Sequence, residues 1–487
     1  MQQFNIVNEI FKSGQSTNEA LICEEEHLTF SELKLLVDQS VRVVCEHLGA
    51  DSGRPLRVAL HCPNGINHVV WSLAILGAGH VLVPIPPEMN NLERDHLVKE
   101  ICVDAILCSD GSSWHDASSA RTSIVTEYAA GEIIKLEGVY TSETIDAYLG
   151  EKHPALIRFS SGTTSKRKGV LITHEALLER VTACNKGPAI GVGDRILWLL
   201  PMAHHFAVSI VMYLLHGATT IITGSHSANE IQRGLYEQKA TILYGAPFHY
   251  TVLLSCIKKG HPHSLRLAVV TAAALDQALA EAFFEYLGIP LVQAMGIIEV
   301  GLPIINMEHA LVSPTAIGQP QPDFSYRVID EGGIDVASGE VGELVLRGPG
   351  MFAGYISPVM QRSELAQEDW FPTGDLARVD NQGNIYLVGR IKSVINIGGI
   401  KVFPEEIEAV LLSHGNVREA RVVGEKHHMF GMIPVAQLVL EAGDLDAELQ
   451  KGLDQLCRKY LPGHKIPRRF ESVRAITKTL SGKIQRH

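Results

Sequence analysis

Residues 160–169 combine the side chains and the backbone freedom that bind phosphate groups. The run reads Ser-Ser-Gly-Thr-Thr-Ser-Lys-Arg-Lys-Gly and contains no large apolar side chain. Hydroxyls and backbone N–H groups can surround phosphate oxygens, and glycine lets the backbone approach a ligand closely. The cations Lys166, Arg167 and Lys168 suit a polyphosphate. The alternative interpretation is a solvated surface turn. Further binding residues elsewhere in the chain are needed to distinguish the two interpretations.

Regular elements are predicted on both sides of this loop. Residues 155–159 and 170–173 read as strands, and a helical pattern begins at His174. Strand and helix signals also alternate in the first 150 residues, with a strand at 57–61 and a helix at 67–76. This alternation predicts an α/β fold with mostly parallel sheets covered by helices.

The remaining segments predict further parts of the fold. Residues 112–123 read as a surface connection and 201–205 as a turn. Short strands separated by glycine turns predict an antiparallel β subdomain at 326–354. The last hundred residues predict a small α+β domain, whose helix opens with Pro404 and two acidic residues.

Composition restricts the class of protein. The chain has 487 residues, 46% of them hydrophobic, and a formal net charge of −12. The negative balance argues against nucleic acid as a partner. The eight cysteines form no Cys-x-x-Cys pair, which favours reduced thiols in a cytoplasmic protein. No signal peptide is predicted. No membrane span is predicted either, because proline and histidines interrupt the apolar stretch 196–222.

Other stretches contain charged and polar residues in patterns that neither a hydrophobic core nor a surface loop requires. They include Phe-Pro-Thr-Gly-Asp at 371–375, Tyr-Leu-Val-Gly-Arg-Ile-Lys at 386–392, Asn-Ile-Gly-Gly at 396–399 and Ser-Gly-Lys at 481–483. With the loop at 160–169, they resemble, in order and along essentially the whole chain, the adenylate-forming superfamily. That superfamily contains acyl-CoA synthetases, peptide-synthetase adenylation domains and luciferase-like ligases.

The resemblance implies a reaction in two steps. A carboxylate attacks the α-phosphate of ATP and releases pyrophosphate, and a thiol then displaces AMP from the acyl-adenylate to form a thioester. Two anions must meet in the first step, so positioned cations and Mg²⁺ lower its barrier.

The resemblance also assigns roles to residues. Those expected to bind ATP or AMP are Ser161, Gly162, Thr163, Thr164, Lys168, Ala272, Ala273, Gln293, Gly296, Asp375, Tyr386 and Arg390. Thr163, Thr164 and Lys168 are expected to hold the β- and γ-phosphates. Glu299 is the expected magnesium ligand, together with Thr163. Asp375 would accept hydrogen bonds from the ribose hydroxyls, helped by Arg390, whereas for Tyr386 a core aromatic is an equal alternative.

The C-terminal part is expected to move between the two steps. The resemblance implies an N-terminal AMP-binding domain at 1–390 and a mobile C-terminal domain at 391–487, hinged at Lys392. Lys483 would bridge the substrate carboxylate and the α-phosphate during adenylation. Gly398 and Gly399 would replace it in the second step, where they would let a pantetheine arm pass.

The acyl site is expected around His204, Phe206, Ala207 and Met295. The catalytic set is then Lys483, Lys168, Glu299 and His204. The histidines at 204, 205 and 216 could instead suggest a metal, but further ligands are lacking. Peptide-synthetase domains usually carry an aspartate where this chain has Ala207, so an apolar aryl or alkyl acid is favoured over an α-amino acid. Fatty or aromatic acid metabolism or secondary metabolite biosynthesis are the corresponding pathway classes.

Several positions depart from the family pattern. Ser165 and Arg167 replace the usual glycine and proline, and Asn396 stands where lysine is common. An alanine run at 272–274 replaces a glycine/proline-containing version. Met295 and Ile298 replace a tyrosine and a threonine, and the threonine hydroxyl would contact AMP and the carboxylate. One such hydrogen bond to a charged group is worth about 1.5–3 kcal/mol, so we expect weaker activity or compensation by a neighbouring residue.

Three functions stay open from the sequence. The first is a freestanding ligase that uses coenzyme A or a separate acyl carrier protein, since no carrier domain follows His487. The second is an adenylate-forming enzyme with a second step that makes no thioester. The third, suggested by Ile298, is a non-catalytic binder of ATP or acyl-adenylate.

Overall fold

The computed structural model describes residues 4–12, 16–49, 54–109, 111–114, 120–125, 130–136, 140–159, 168–224, 227–397, 400–427, 431–478 and 484. The chain forms two compact units. The larger unit comprises the described residues up to Ser325 together with Arg347–Phe371. The smaller unit comprises Tyr326–Leu346 and the described residues from Pro372 onward.

Strands and helices alternate through most of the chain. In order, the strands before residue 391 are β1 (Glu19–Cys23), β2 (Glu26–Thr29), β3 (Arg57–His61), β4 (Val81–Ile85), β5 (Ala105–Ser109), β6 (Ala120–Val125), β7 (Ala130–Lys135), β8 (Pro154–Phe159), β9 (Gly169–Thr173), β10 (Arg195–Trp198), β11 (Thr219–Ile222), β12 (Ile242–Gly245), β13 (Leu267–Val270), β14 (Leu291–Ile297), β15 (Gly301–Ile305), β16 (Gln319–Pro320), β17 (Ser325–Ile329), β18 (Gly342–Arg347), β19 (Gly354–Ile356), β20 (Val359–Gln361), β21 (Phe371–Val379) and β22 (Ile385–Arg390). The α-helices of the same stretch are α1 (Ile6–Lys12), α2 (Phe30–Leu48), α3 (Ile66–Gly77), α4 (Asn91–Glu100), α5 (Glu143–Gly150), α6 (His174–Cys184), α7 (Met202–His205), α8 (Ile210–Leu215), α9 (Ala228–Gln232), α10 (Pro247–Cys256), α11 (Gln277–Leu287) and α12 (Arg362–Leu365).

The larger unit contains two nine-stranded sheets. Sheet one has the order β16-β15-β14-β13-β12-β10-β11-β1-β2, and its strands from β14 through β1 run parallel. Sheet two has the order β20-β19-β9-β8-β4-β3-β5-β7-β6, with β8, β4, β3 and β5 parallel. The carboxyl ends of parallel strands share one edge, and ligand sites in such sheets lie beyond that edge.

Apolar packing fixes sheet one against its helices. Leu197, Leu243 and Phe283 are fully buried in one cluster between strands and helices. The hydroxyl of Tyr250, on α10, donates to the carbonyl oxygens of Leu243 at 3.1 Å and Val269 at 2.5 Å. A buried tyrosine hydroxyl therefore has its partners, so this helix is held in one position against the strands.

Local sequence signals determine where several helices begin. Thr29 and Glu32 form a reciprocal capping box at the start of α2, which satisfies N–H groups that the first helical turn leaves unpaired. The first residue of α10 is Pro247, where a missing N–H costs nothing and the fixed φ suits a helix. Gly288 ends α11 with a left-handed φ of +70°, a conformation that glycine adopts without strain.

The smaller unit combines two antiparallel-rich sheets. One has the order β17-β18-β21-β22. The other elements are β23 (Ile395–Ile397), β24 (Ile400–Val402), α13 (Pro404–Leu412), β25 (Val417–His427), β26 (Gly431–Leu440), α14 (Ala447–Tyr460) and β27 (Arg469–Ser472). These strands form a sheet of order β24-β23-β26-β25, with β27 beside β26, and Ile407, Leu411 and Leu453 of the two helices are fully buried in its core.

The predicted α/β fold class is confirmed, and the strand predicted at 57–61 is β3. Two local predictions were wrong. The turn at 201–205 contains the short helix α7, because Asn64 Oδ1 accepts a hydrogen bond from Met202 N at 2.8 Å and Asn64 Nδ2 donates to Leu200 O at 2.9 Å. The connection at 112–123 overlaps strand β6, which pairs with β7 at the edge of sheet two.

Two further properties of the chain can be read from the structure. All eight cysteines carry free thiols. Among the helices that the structure describes, none combines the length and the apolar character needed to cross a membrane. The division into domains at residue 390 stays a prediction.

Candidate active site

The predicted phosphate loop lies between two paired strands of sheet two. Strands β8 and β9 are antiparallel, and Phe159 is the register partner of Gly169. Residues 160–167 lie outside the described residues, and with them the predicted phosphate ligands Ser161, Gly162, Thr163 and Thr164. Lys168 is the first described residue beyond this segment.

Lys168 and Glu299 lie on two sides of one tyrosine. The Nζ atom of Lys168 is 4.3 Å from the centroid of the Tyr355 ring. The hydroxyl of Tyr355 donates to Glu299 Oε1 at 3.1 Å. Burial, and to a smaller extent the negative charge of Glu299, raises the pKa of Tyr355. The hydroxyl therefore stays protonated and can donate to Glu299. Tyr355 therefore contacts a cation through its ring and a carboxylate through its hydroxyl.

Glu299 lies in the turn between β14 and β15. Gly301 opens β15 with a φ of +116°, which favours glycine over any residue with a Cβ. The carbonyl oxygen of Glu299 accepts from Phe352 N at 2.9 Å. Its side chain is only partly buried, and a carboxylate is the type of ligand that Mg²⁺ prefers. One oxygen is oriented by Tyr355, so the donor chemistry fits the predicted magnesium ligand.

Fully buried Arg180 ties the residue before Glu299 to Gly350. Its Nη1 donates to Ile298 O at 3.0 Å, and its Nε and Nη2 donate to Gly350 O at 2.8 and 2.6 Å. Burial lowers the pKa of Arg180 to about 10, which still leaves it a cation at neutral pH. Arg180 could not be identified from the sequence, since its acceptors are distant backbone carbonyls that no local pattern indicates.

The predicted adenine-lining residues follow β13. Ala272 has a φ of +71°, unusual for a residue with a Cβ, and Ala273 is exposed. Gln293 is buried, and its amide accepts from Leu275 N at 2.8 Å. This contact ties β14 to the loop that carries the two alanines. The nucleotide contacts of Ala272, Ala273 and Gln293, as well as those of exposed Gly296, stay predictions.

His204, the predicted acyl-site histidine, lies on α7 near the carboxyl end of β4. Its Nε2 is 3.9 Å from Glu88 Oε1. Its carbonyl oxygen accepts a hydrogen bond from Nη1 of Arg158, at the end of β8. Residues beyond parallel strands of both sheets thus meet at this point. Arg158 was missed as a site residue, although an arginine in the apolar strand just before the loop was a usable signal.

The other predicted acyl-site residues are apolar and buried. Phe206 and Ala207, in the turn that follows α7, are 2% and 3% exposed, and Met295 on β14 is 7% exposed. Ile298, which replaces the threonine of the family pattern, is 5% exposed. Such side chains bury apolar substrate groups and offer no charge to an amino group.

In the smaller unit, the predicted ribose ligands form an ion pair. Asp375 and Arg390 are register partners across β21 and β22, and Arg390 Nε lies 2.6 Å from Asp375 Oδ1. Asp375 N donates to Thr373 Oγ1 at 3.0 Å, and that hydroxyl donates to Leu344 O at 2.7 Å. The Asp375 backbone is therefore anchored to the neighbouring strand β18.

Tyr386 and Lys392 are described farther along this unit. The Tyr386 hydroxyl donates to Asp380 Oδ2 at 3.2 Å, and the Arg378 guanidinium lies 4.3 Å from its ring centroid. These contacts stabilise the β21–β22 hairpin, and the nucleotide role of Tyr386 stays a prediction. Exposed Lys392 lies in a short 3₁₀ turn, Ile391–Ser393.

Three predicted residues of the smaller unit lie outside the described residues, namely Gly398, Gly399 and Lys483. Across the part of the chain that is described, no group of three or more histidine, cysteine, aspartate or glutamate side chains is placed to hold a metal ion.

Comparisons with known proteins agree with this architecture. The AMP-binding enzyme family matches residues 11–356, and the AMP-binding enzyme C-terminal domain matches residues 406–483. Naringenin synthase of Pestalotiopsis fici is 30% identical over 94% of the chain, although the chain spans only 18% of that protein's length. The 2-succinylbenzoate–CoA ligase of Bacillus cereus is 28% identical over 96% of the chain and 94% of its own length.

A solved structure shares the fold. The o-succinylbenzoate CoA synthetase of Bacillus subtilis, in complex with its acyl-adenylate intermediate, superposes with a TM-score of 0.82 over 99% of the chain and 97% of its own. Sequence identity is 22%, so this likeness concerns the fold. The family match covers most of the chain and includes Lys168, Glu299 and His204. The predicted superfamily is confirmed, and the chain belongs to the AMP-binding enzyme family.

Proposed function

We propose that this protein is an ATP-dependent acid–thiol ligase. It activates a carboxylic acid as an acyl-adenylate and then transfers the acyl group to a thiol. The observation that carries the proposal is the fixed arrangement of Lys168, Tyr355 and Glu299, because adenylation needs a cation for the phosphates and a carboxylate for their metal. The names of relatives, among them a CoA ligase, describe the same class of reaction.

In the adenylation step, a carboxylate oxygen of the acid attacks the α-phosphorus of ATP and pyrophosphate leaves. Lys168, with Thr163 and Thr164, binds the β- and γ-phosphates, and Lys483 bridges the two reacting anions. Glu299 and Thr163 would hold Mg²⁺, which would supply positive charge to the phosphates. Asp375 and Arg390 bind the ribose, which fixes the nucleotide for in-line attack.

In the second step, a thiol attacks the acyl carbon and AMP leaves. The C-terminal domain, 391–487, turns about Lys392, so that Gly398 and Gly399 replace Lys483 beside the adenylate. We propose coenzyme A or a separate acyl carrier protein as the thiol donor. The Gly-Gly pair resembles that of acyl-CoA synthetases, which supports coenzyme A.

The acid is apolar, with an aryl or alkyl group. Buried Phe206, Ala207 and Met295 supply apolar surface, and the aspartate that would bind an α-amino group is replaced by Ala207. A ligand in such a site gains affinity from the apolar area that it buries.

The test is pyrophosphate release with ATP and Mg²⁺ in the presence of benzoate, butyrate, octanoate or phenylalanine, each with and without coenzyme A. We expect release with benzoate or octanoate and a further increase with coenzyme A. Release that ignores thiols would indicate a second step without a thioester. Binding of ATP without release for any acid would contradict the proposal and favour a non-catalytic binder.

A further inference from the structure

Arg158 has a donor that no described residue accepts from. Its Nη1 donates to His204 O, but the buried Nε atom has no hydrogen-bond partner among the described residues. A guanidinium carries five N–H donors, and a buried donor without an acceptor costs free energy. An arginine at the end of β8, beside the apolar residues of that strand, therefore has a donor that can bind a ligand.

Arg180 shows what a purely structural arginine looks like in the same region. Its Nε, Nη1 and Nη2 all donate to backbone carbonyls, those of Ile298 and Gly350. That guanidinium is committed to the carbonyls of Gly350 and of the residue before Glu299. Among the described residues, Arg158 has one acceptor, His204 O, so backbone contacts of the Arg180 kind do not explain its role.

Charge in the region favours an anion beside Arg158. Burial lowers the pKa of Arg158 to about 10, and the charge of Glu299 opposes that change, so the side chain is a cation at neutral pH. Arg180 is a second cation nearby, and the charge of Arg158 contributes to lowering the pKa of Arg180. The negative charge of Glu299 favours the Arg158 cation, and a bound anion would act in the same direction.

We propose that Arg158 Nε binds the carboxylate of the acid substrate. Through His204, Arg158 is joined to the segment that carries Phe206 and Ala207, so an acid whose apolar group lies against those residues brings its carboxylate to this guanidinium. Neighbouring Ile298 is apolar and cannot bind the carboxylate itself. The inference rests on the proposed function and names a binding residue for its acid.

The alternative anion is a phosphate of ATP, and the alternative role is to support the His204 backbone. If Arg158 binds the carboxylate, its loss weakens binding of the acid and leaves the affinity for ATP unchanged. If Arg158 only supports the His204 backbone, its loss weakens binding of any ligand of the acyl site, charged or neutral. The acid's primary amide, which keeps the apolar group but has no negative charge, distinguishes these roles.

The experiment compares wild type, Arg158→Met and Arg158→Lys. It measures KM for the acid and for ATP in pyrophosphate release, using whichever of benzoate and octanoate is turned over, and inhibition by the matching amide, benzamide or octanamide. Methionine fills the space without charge, whereas lysine restores the cation. Arg266→Met is the control, since Arg266 pairs with Asp194 at 2.7 Å and lies at the amino end of β13, whereas the predicted site lies beyond the carboxyl ends of the strands.

We expect Arg158→Met to raise KM for the acid by about ten- to a hundredfold. KM for ATP and inhibition by the amide stay at wild-type values, and Arg158→Lys recovers part of the acid affinity. If Arg158→Met weakens binding of the acid and of the amide equally, the inference is overturned in favour of a structural role. A change confined to ATP would overturn it in favour of a phosphate contact. Wild type without acid-dependent release would overturn the proposed function, and the inference with it.

Discussion

Arg390 Nε lies 2.6 Å from Asp375 Oδ1, and the two residues face each other across the β21–β22 hairpin. The Asp375 side chain is 9% exposed, whereas that of Arg390 is 43% exposed. The arginine thus orients a nearly buried carboxylate, and a carboxylate held in this way can accept hydrogen bonds from two neighbouring hydroxyls.

Asp375→Asn tests this arrangement as a ribose site. The change keeps the shape of the side chain but removes its charge, so we expect KM for ATP to rise by about tenfold or more. Asp335→Asn is the control, because Asp335 pairs with Arg327 at 2.8 Å in the same unit. Equal KM values for the two variants would remove Asp375 from the nucleotide site.

Tyr355→Phe separates the two contacts of this tyrosine. The ring stays beside Lys168, while Glu299 loses the hydroxyl that orients it. Since partners of metal ligands tune metal affinity, we expect the Mg²⁺ concentration at half-maximal activity to rise by about tenfold or more. Tyr250→Phe, which also removes a buried hydroxyl, should lower Tm and leave the Mg²⁺ requirement unchanged. A normal Mg²⁺ requirement in Tyr355→Phe would contradict the assignment of Glu299.

Lys483→Ala tests the predicted bridge between the acid and ATP. Loss of one positioned donor in the transition state costs about a hundredfold or more in rate. We therefore expect pyrophosphate release to fall by this factor while ATP binding, measured by calorimetry, is kept. The control is Lys478→Ala, because Lys478 forms an ion pair with Glu419 at 3.0 Å. Unchanged release would exclude Lys483 from the mechanism.

Lys392→Pro tests the predicted hinge. Proline fixes φ near about −65°, a value within the φ range of a 3₁₀ turn such as Ile391–Ser393. We expect pyrophosphate release to persist and thioester formation to be lost, because the rotation needs a change in backbone angles. Lys392→Ala should keep both steps. If the proline variant loses both steps equally, Lys392 is not a hinge between them.

His61 makes stability depend on pH. Burial, together with Arg94, whose Nη1 lies 2.7 Å from His61 Nε2, lowers the pKa of His61 to about 4. Because the pKa is lower in the folded state, the stabilisation is complete above about pH 6.5 and is lost as the pH falls toward about 4. His174, with a pKa also near about 4, contributes in the same range.

We expect the Tm of His61→Gln to fall less than that of wild type when the pH is lowered from about 7 to about 5. Glutamine keeps an acceptor for Arg94 but does not titrate. His96→Gln, at a side chain that is 79% exposed, should retain the wild-type pH dependence. The same fall in Tm for all three proteins would show that His61 does not contribute.

The sequence was most informative where residues with a chemical role lie next to the strands that carry them in the chain. The strands on both sides of residues 160–167 could be predicted, because they directly flank a contiguous motif. Family and fold class were predicted correctly for the same reason. The nucleotide contacts of Asp375 and Arg390 await the experiments above.

Contacts between distant segments could not be predicted. Tyr355 lies between Lys168 and Glu299 only because β19 pairs with β9, and nothing next to Tyr355 in the sequence indicates this. Arg180 binds the carbonyl of Gly350 for a similar reason. Helix α7 was missed because Asn64, far away in the chain, satisfies its first N–H group. Each case depends on tertiary structure overriding or completing a local signal.

The position of Tyr355 on β19 also links activity to the completion of folding. Lys168 precedes the β9 segment of sheet two, Glu299 follows β14 of sheet one, and the tyrosine between them arrives only when β19 has joined β9. A chain in which one sheet has formed without the other has the lysine or the carboxylate in place, but not both at their final separation. A partly folded chain therefore lacks the arrangement of Lys168, Tyr355 and Glu299 on which the proposed adenylation step depends.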